Sequence, residues 1–505
     1  MANHPCFAIL LFMHSTRWIL QPLLILALIA GLSSPASAFE MRMVADVLSV
    51  NAKDTPLRDI LAQFQEVGVK VAIDERINPL VTTHFENREI GDGIKHLLAD
   101  CDYALTWQTI EGPAGKLRRI SEILVYKPGN RRPLVPLPPP TPIAIEKRTS
   151  QTNSIICLKN EVLLRLRPGT NRDQLLALLH ATGTTVMDSI PALGLYRLHC
   201  PPYTDLANLL NSLSQSPLVA RVEPNQIYRS LTPSKFPGTQ TAETPHPLPN
   251  GSGPAVAILD SGFTPNMILE KAVVTTLDAT APGEPISDPV GHGTQMAFIA
   301  AGAISPQGGN VFSDSQSGSI IPIRTMDATG ITSSFTLMQS MIFAIDQGAR
   351  VINMSWGSPT DSVFFNNAIS YAKQRGAVLV AAAGNEPIDQ PLYPAAIPDV
   401  LAVAALGPDG SFWDQSNYGS FIKLAAPGFA TMPVGYKGPP GTYGGTSIAA
   451  AYTARVIARY FATHPNATSD EAIQTLNQTL TRPVTGATHP EIPRLDPAAV
   501  VDYLK

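Results

Sequence analysis

The chain has 505 residues, with 36 lysines and arginines against 40 aspartates and glutamates, for a formal net charge of −4. That length is divided among several domains, and the near-balanced charge excludes the broad basic surface that nucleic acid or an anionic membrane requires. Hydrophobic residues make up 44%, ample for folded cores, while 46 prolines imply rigid connecting segments.

The first 38 residues carry a targeting pattern. Arg17 precedes the apolar run WILQPLLILALIAGL, and a small-x-small site follows at Ala36-Ser37-Ala38. The run is shorter than the roughly 20 residues of a spanning helix. A signal peptide cleaved after Ala38 is therefore expected rather than a retained anchor. The protein is then exported, either secreted or periplasmic. Cys6 leaves with the signal, and no cysteine follows Cys200, so the C-terminal half needs no disulfide.

Residues 39–126 alternate strand-like and helical stretches. VLSVNAKD is followed by Leu57, Ile60, Leu61 and Phe64 at helical spacing, then by Gly68 and the strand VKVAID. The pattern repeats through VTTHFEN, a helix carrying Ile94, Leu97 and Leu98, and DYALTWQTI. The doubled unit resembles the short N-terminal domain of secretins and TonB-dependent receptors. That resemblance implies a small α/β interaction module with an envelope-protein partner; an unrelated small α/β domain is the alternative. Pro-rich stretches at 127–153 and 231–253 read as extended, exposed linkers.

Between the linkers, residues 154–230 read in the order βαββαβ. EVLLRLRPG alternates like a strand. NRDQLLALLHATG opens with an Asn171/Gln174 capping box and stops at Gly183. TTVMDSI and GLYRLHC are strands, DLANLLNSLSQSP is a second helix, and VARVEPNQIY closes the unit. The order is that of a ferredoxin-like α+β domain. Its first and third strands are neighbours, with Cys157 just before the first and Cys200 at the end of the third. Either a Cys157–Cys200 disulfide or two separately buried thiols fits.

Residues 254–505 are different in kind. AVAILD, IIPIRTM, ARVINMS, AVLVAAAGN and VLAVAA are continuous apolar runs separated by helical segments at 335–347, 362–374 and 446–461. Such runs make a parallel sheet covered by helices on both faces, with ligands at the carboxyl ends of its strands. Polar residues sit at those ends or at helix starts: Asp260, His292, Asn385 and Ser447. Each has a bland use alone, as turn residue, loop histidine or helix cap; Thr446 alone could cap the last helix. Together they supply what acyl transfer needs: a hydroxyl nucleophile, an imidazole base, a carboxylate to orient it, and an amide for the oxyanion.

The motifs AVAILDSGF, GHGTQMAFIAAG, INMSWGS, VAAAGNE, LAAPG and GGTSIAA resemble those of the subtilisin-like serine endopeptidases, from residue 255 to the C-terminal RLDPAAVVDYL. The resemblance implies a subtilisin-like fold. It makes Ser447 the nucleophile, His292 the general base and then acid, and Asp260 its orienting carboxylate. The Asn385 amide and the Ser447 N–H would form the oxyanion hole. Ser355-Trp356-Gly357 would pair with an extended substrate, and Ala382-Ala383-Gly384 would line the opposite wall. Where the family has Pro, Met and His, this chain has Ala451, Ile448 and Gln295; none of these removes a catalytic atom, while Trp356 puts the side-chain preference in doubt. Residues 154–230 resemble the family's pro-domains, which implies an intramolecular chaperone and inhibitor with a maturation cut somewhere in 229–250. Polypeptides are the expected substrates and a monomer the expected state. No HExxH or clustered Cys/His pattern is present, so no catalytic cofactor is expected; structural Ca²⁺ stays open, with no legible ligand loop. The rival function is a catalytically silent scaffold acting through its N-terminal module.

Overall fold

The structure is a computed model that describes residues 39–129, 133–137, 145–149, 154–201, 204–236, 244–246, 248, 251, 253–309, 318–482, 489 and 491–504. The signal segment, the predicted cleavage site after Ala38 and Cys6 lie outside them. Among the described residues no helix is long and apolar enough to cross a membrane.

The first block runs β1 (Phe39–Val44), β2 (Val47–Pro56), α1 (Leu57–Glu66), β3 (Lys70–Ile73), β4 (Leu80–Glu89), α2 (Ile90–Leu97), β5 (Asp102–Gly112), β6 (Gly115–Tyr126) and β7 (Val135–Pro136). The predicted helical spacing is realised: Leu57, Ile60, Leu61 and Phe64 are the buried face of α1. Gly68 then turns the chain with φ 78°, a conformation that favours glycine. Two sheets, ordered β1-β2-β4 and β5-β6-β3-β7, share one core with both helices. The segment read as the first linker is thus partly structured: β7 joins this block, and Leu137 is buried in its core.

The second block runs β8 (Ile145–Thr149), β9 (Ser154–Leu166), α3 (Arg172–Thr182), β10 (Thr185–Ile190), β11 (Leu195–His199), α4 (Leu206–Gln215) and β12 (Val219–Ser230). The Asn171/Gln174 capping box and the left-handed Gly183 both form, as the sequence predicts. The strands order β10-β11-β9-β12, all antiparallel, with β8 added on β9. One sheet face packs Val162, Leu164 and Leu198 against Leu175, Leu179, Leu206 and Leu213 of the two helices. The other sets Leu163 and Leu195 into a core shared with the third block.

The predicted neighbouring of the first and third strands is realised, but no Cys157–Cys200 disulfide forms. Register explains this. The Cys200 N–H donates to Asn160 O at 2.8 Å, so Cys200 faces Asn160. Cys157 lies farther along β9, where it pairs with Gln226 of β12. The offset is about 10 Å at the rise of a strand, beyond the span of a disulfide. The Cys157 thiol instead points at Glu146 O at 3.8 Å, and burial pushes the Cys200 thiol up to about 12.

A three-residue strand, β13 (Ser234–Phe236), precedes the third block, within the stretch read as the second linker. The body then runs β14 (Ala255–Asp260), β15 (Leu277–Asp278), α5 (His292–Ala301), β16 (Ile320–Arg324), β17 (Ile331–Ser333), α6 (Ser334–Asp346), β18 (Ala349–Met354), β19 (Trp356–Gly357), α7 (Val363–Gln374), β20 (Val378–Ala382), β21 (Leu401–Leu406), β22 (Leu424–Pro427), β23 (Phe429–Met432), β24 (Gly441–Gly444), α8 (Thr446–Thr463), α9 (Ser469–Thr479), β25 (Thr481–Arg482), β26 (Arg494–Leu495) and α10 (Pro497–Leu504). Its central sheet orders β15-β16-β14-β18-β20-β21-β22-β26-β25, parallel except for the last pair. Period-two alternation sorts the apolar runs onto two faces. Val256 and Ile258 meet α5 and α8, while Ala255, Ala257 and Leu259 meet α6 and α7. Every residue of β14, β20 and β21 is buried, which is why these runs lack polar alternation.

Denatured without reductant and alkylated, the protein should show Cys157 and Cys200 each carrying a label by peptide mass spectrometry. A Cys157–Cys200 cross-linked peptide would contradict the observed register.

Candidate active site

Asp260 is the last residue of β14 and His292 the first of α5. Gly291, with φ 88°, sets the entry to α5; a Cβ there would meet Gly435 O at 2.2 Å, so glycine is needed. The two side chains meet at His292 Nδ1–Asp260 Oδ1, 2.8 Å, both fully buried. Asp260 Oδ1 also accepts the Ser261 N–H at 2.7 Å. A carboxylate in this position keeps the proton on Nδ1 and leaves Nε2 as the basic nitrogen. Burial works to lower the His292 pKa. The charge of Asp260, the hydrogen bond to it and the charge of Asp288 together outweigh burial and hold it above the ordinary histidine value.

Asp288 was not singled out in the sequence. Its Oδ1 accepts Ser261 Oγ at 2.8 Å and the Val290 and Gly291 N–H groups at 3.2 and 2.8 Å. Its Oδ2 accepts Thr294 N and Oγ1 at 2.8 and 2.6 Å. Ser261 Oγ in turn accepts the Gly293 N–H at 2.9 Å. One carboxylate thus ties the end of β14 to both sides of His292. The available signal was an Asp just ahead of GHGT, in position to satisfy the open N–H groups of a helix start.

Asn385 follows β20, and Ser447 is in the first turn of α8. Thr446 does not cap this helix; the N-cap is Gly445, with no side-chain cap. Instead, Thr446 N and Oγ1 donate to Asn385 Oδ1 at 2.9 and 2.8 Å, and Gly384 N donates to Thr446 Oγ1 at 3.1 Å. These bonds fix the amide oxygen and turn Asn385 Nδ2 outward, where it donates to Thr232 O at 2.9 Å. Ser447 Oγ and His292 Nε2 are buried and make no hydrogen bond among the described residues. α5 and α8, which carry them, pack together under the same face of the sheet. The Ser447 end of α8 is its positive pole.

The cleft beside these residues already holds an extended chain. β12 runs antiparallel between β17 and β19, with Tyr228 opposite Thr332 and Arg229 opposite both Ile331 and Gly357. Ser230 N donates to Gly330 O at 2.9 Å and Leu231 N to Ser355 O at 3.3 Å. Beyond Thr232 the chain continues as β13, antiparallel to β24. The predicted Ser355-Trp356-Gly357 edge is therefore paired with backbone. The facing edge, residues 330–333, was missed because so short a strand carries no readable alternation. Trp356 is fully buried, its Nε1 donating to Leu259 O at 2.9 Å. It forms a floor on which Tyr228 rests edge-on, centroids 5.3 Å apart, with Phe365 alongside at 5.5 Å. Ala382 ends β20, Ala383 follows it just ahead of Asn385, and Gly384 takes φ 118°, where a Cβ would strike Asn417.

The departures at 295, 448 and 451 fall in packed positions. Ala451 and Ile448 are buried among α8 neighbours, and Gln295 Nε2 donates to Val434 O at 2.8 Å. Among the described residues no three His, Cys, Asp or Glu side chains gather as metal ligands.

Comparison with known proteins matches residues 251–493 to the subtilase family model and residues 147–225 to the fervidolysin N-terminal prodomain model. Thermitase of Thermoactinomyces vulgaris is 33% identical over 242 residues, covering 46% of this chain and 83% of thermitase. The chain is a subtilase. Other relatives include subtilisin E of Bacillus subtilis, 29% identical over 282 residues, covering 54% of this subtilase and 73% of that protein. The crystal structure of fervidolysin from Fervidobacterium pennivorans, a keratinolytic enzyme related to subtilisin, superposes with a TM-score of 0.55 at 20% identity. It covers 68% of this chain and 61% of its own, and supports the fold alone. As a subtilase the protein is a serine endopeptidase of the Ser-His-Asp type with an N-terminal prodomain. The matched models begin at residue 147 and give the secretin-like reading of residues 39–126 no support.

Replacing Asp288 with Asn should lower kcat/KM about ten-fold, through looser placement of His292. Losing the negative charge also removes support for the imidazolium, so the His292 pKa falls. The neutral, active imidazole then persists to lower pH, and the acid limb of the pH–rate profile should move to lower pH. A fall in rate with an unmoved limb would show that Asp288 is merely structural.

Proposed function

We propose that Ser447 attacks the substrate carbonyl while His292 Nε2 takes its proton and later returns it to the leaving amine. Asp260 holds the imidazole, and Asn385 Nδ2 with the Ser447 N–H receives the oxyanion. The Asp260–His292 contact and the outward-facing Asn385 amide support these roles. Residues 330–333 and 355–357 take up substrate as a strand between two edges, a mode suited to extended or unfolded polypeptide. Ala382, Ala383 and Gly384 line the opposite wall.

The observation that carries the reading furthest is the occupied cleft. Residues 227–236 lie along it as a substrate would, with the Ser230 N–H on Gly330 O and the Leu231 N–H on Ser355 O; Asn385 Nδ2 is held one carbonyl further on, by Thr232 O, and would have to pass to Leu231 O for the cut. We infer that residues 154–230 are a ferredoxin-like pro-domain, that the zymogen silences itself with this segment, and that maturation cuts Leu231–Thr232. A cut one residue later would have to expel the tertiary amide nitrogen of Pro233, whose ring would crowd the nucleophile. The pro-domain also grips helix starts of the body. Asn225 Oδ1 accepts Ser334 Oγ and Phe335 N at 2.9 and 3.1 Å, and Glu223 Oε2 accepts Ser362 Oγ at 2.9 Å. Residues 254–505 are then the catalytic unit, and export through the N-terminal signal delivers it as a secreted enzyme. An envelope partner for residues 39–126 is the lesser reading, since their packing runs to the pro-domain, with Lys70 reaching the catalytic body.

The full chain carrying Ser447→Ala should accumulate uncut, while the unaltered chain yields a product whose N-terminus is Thr232 by mass spectrometry. Cutting of the Ser447→Ala chain in pure form would refute self-processing. Replacing Asn225 with Ala should weaken inhibition by the pro-domain about ten-fold, read as an earlier onset of peptide hydrolysis, because it strands the N–H of Phe335 at the start of α6.

A further inference from the structure

The block 39–126 is built into the pro-domain. The β5–β6 hairpin ends in a turn whose flanking residues Ile110, Ala114 and Leu117 are buried in one core with Val162, Leu164, Tyr196, Leu198 and Leu206. The fit is close: a Cβ on Gly112 would lie 2.3 Å from Tyr196 Oη. That hydroxyl accepts the Ala114 N–H at 3.0 Å. The pro-domain's edge strand β10 is covered as well. Ser189 Oγ donates to Glu111 O at 2.5 Å, Thr185 Oγ1 to Met43 O at 2.7 Å, and Arg119 Nη1 to Met187 O at 2.7 Å. Arg119 Nη2 donates to Val67 O of the first block itself, so one guanidinium ties the two blocks. Burial lowers the Arg119 pKa to about 10. Toward the catalytic body the block sends the surface residue Lys70, whose Nζ donates to Pro282 O at 3.1 Å.

A lobe the size of residues 154–230 buries too little surface to be robust alone. One face of its sheet is covered by the catalytic body, and that cover is lost whenever the two separate. The hairpin and the β10 contacts go with the lobe. We propose that residues 39–231 act as a single two-lobed inhibitor of this protease, in which the first block keeps the pro-domain folded after the maturation cut and so sets how long the cleft stays blocked. The proposal rests on the maturation reading above. Only the folded fraction of an inhibitor binds, so weakening the hairpin contact weakens inhibition in proportion.

The test uses the full chain. In the Ser447→Ala background, hydrogen exchange of β9, β11 and α4 is compared with and without Ile110→Asp plus Leu117→Asp. Exchange at least ten-fold faster in these elements, with the central sheet of the body unchanged, is the expected result. Unchanged exchange there would overturn the proposal. In the active chain the same pair should shorten the lag before hydrolysis of a fluorogenic peptide at least ten-fold. Tyr196→Phe, which removes a hydroxyl and no packing, should shorten it two- to three-fold and serves if the double variant fails to fold. Either an unchanged lag, or removal of residues 39–126 while inhibition persists undiminished, would overturn the regulatory role. An unaltered chain that never cuts at Leu231–Thr232 would refute the maturation reading alone, because the exchange comparison uses uncut protein.

Discussion

The contact between Asp260 and His292 sets the terms for the rest of the site. A carboxylate and an imidazole buried together are costly to desolvate, and they persist only where geometry and further hydrogen bonds compensate. The compensation here is local and dense. Ser261 N–H supports Asp260, and Asp288 gathers the N–H groups on both sides of His292. The parallel sheet supplies the other half of the arrangement. It ends β14 at a fixed depth beneath α5, and ends β20 where Asn385 can be pinned by Thr446.

Much of this was legible in the sequence because the residues serve two masters at once. AVAILD must be apolar to lie in a sheet buried on both faces, so the aspartate at its end stands out. GGTS and GHGT combine glycines, which let backbones approach, with a polar group at a helix start. The α3 capping box and the buried face of α1 were equally plain, because local geometry fixes them.

What sequence alone did not reveal depends on register and on contacts distant along the chain. The Cys157–Cys200 pairing follows from strand order but fails on register, which only the assembled ladder of β9 and β11 determines. Thr446 is a suitable N-cap residue by type, yet tertiary bonding to Asn385 claims its hydroxyl. Asp288 acts through backbone groups, and nothing in its residue type announces that. The linkers were assigned from proline content, which describes stiffness and not pairing; β7, β8 and β13 are short strands that exist because a neighbouring edge accepts them. The β5–β6 hairpin tip is ordinary as sequence, and its role comes from Tyr196, far along the chain.

The strand in the cleft is held on both sides of Ser447, by β17 and β19 before it and by β24 after it. Opening the Leu231–Thr232 bond would therefore resemble nicking a duplex. Both new ends would stay in place, and the freed amine would face the acyl-enzyme at the high effective concentration of a short tether. Religation would compete with water until residues 234–236 peel from β24. The pace of the first turnover would then be governed by the fraying of three residues, and lengthening or shortening that small zipper would tune the clock without touching a catalytic atom.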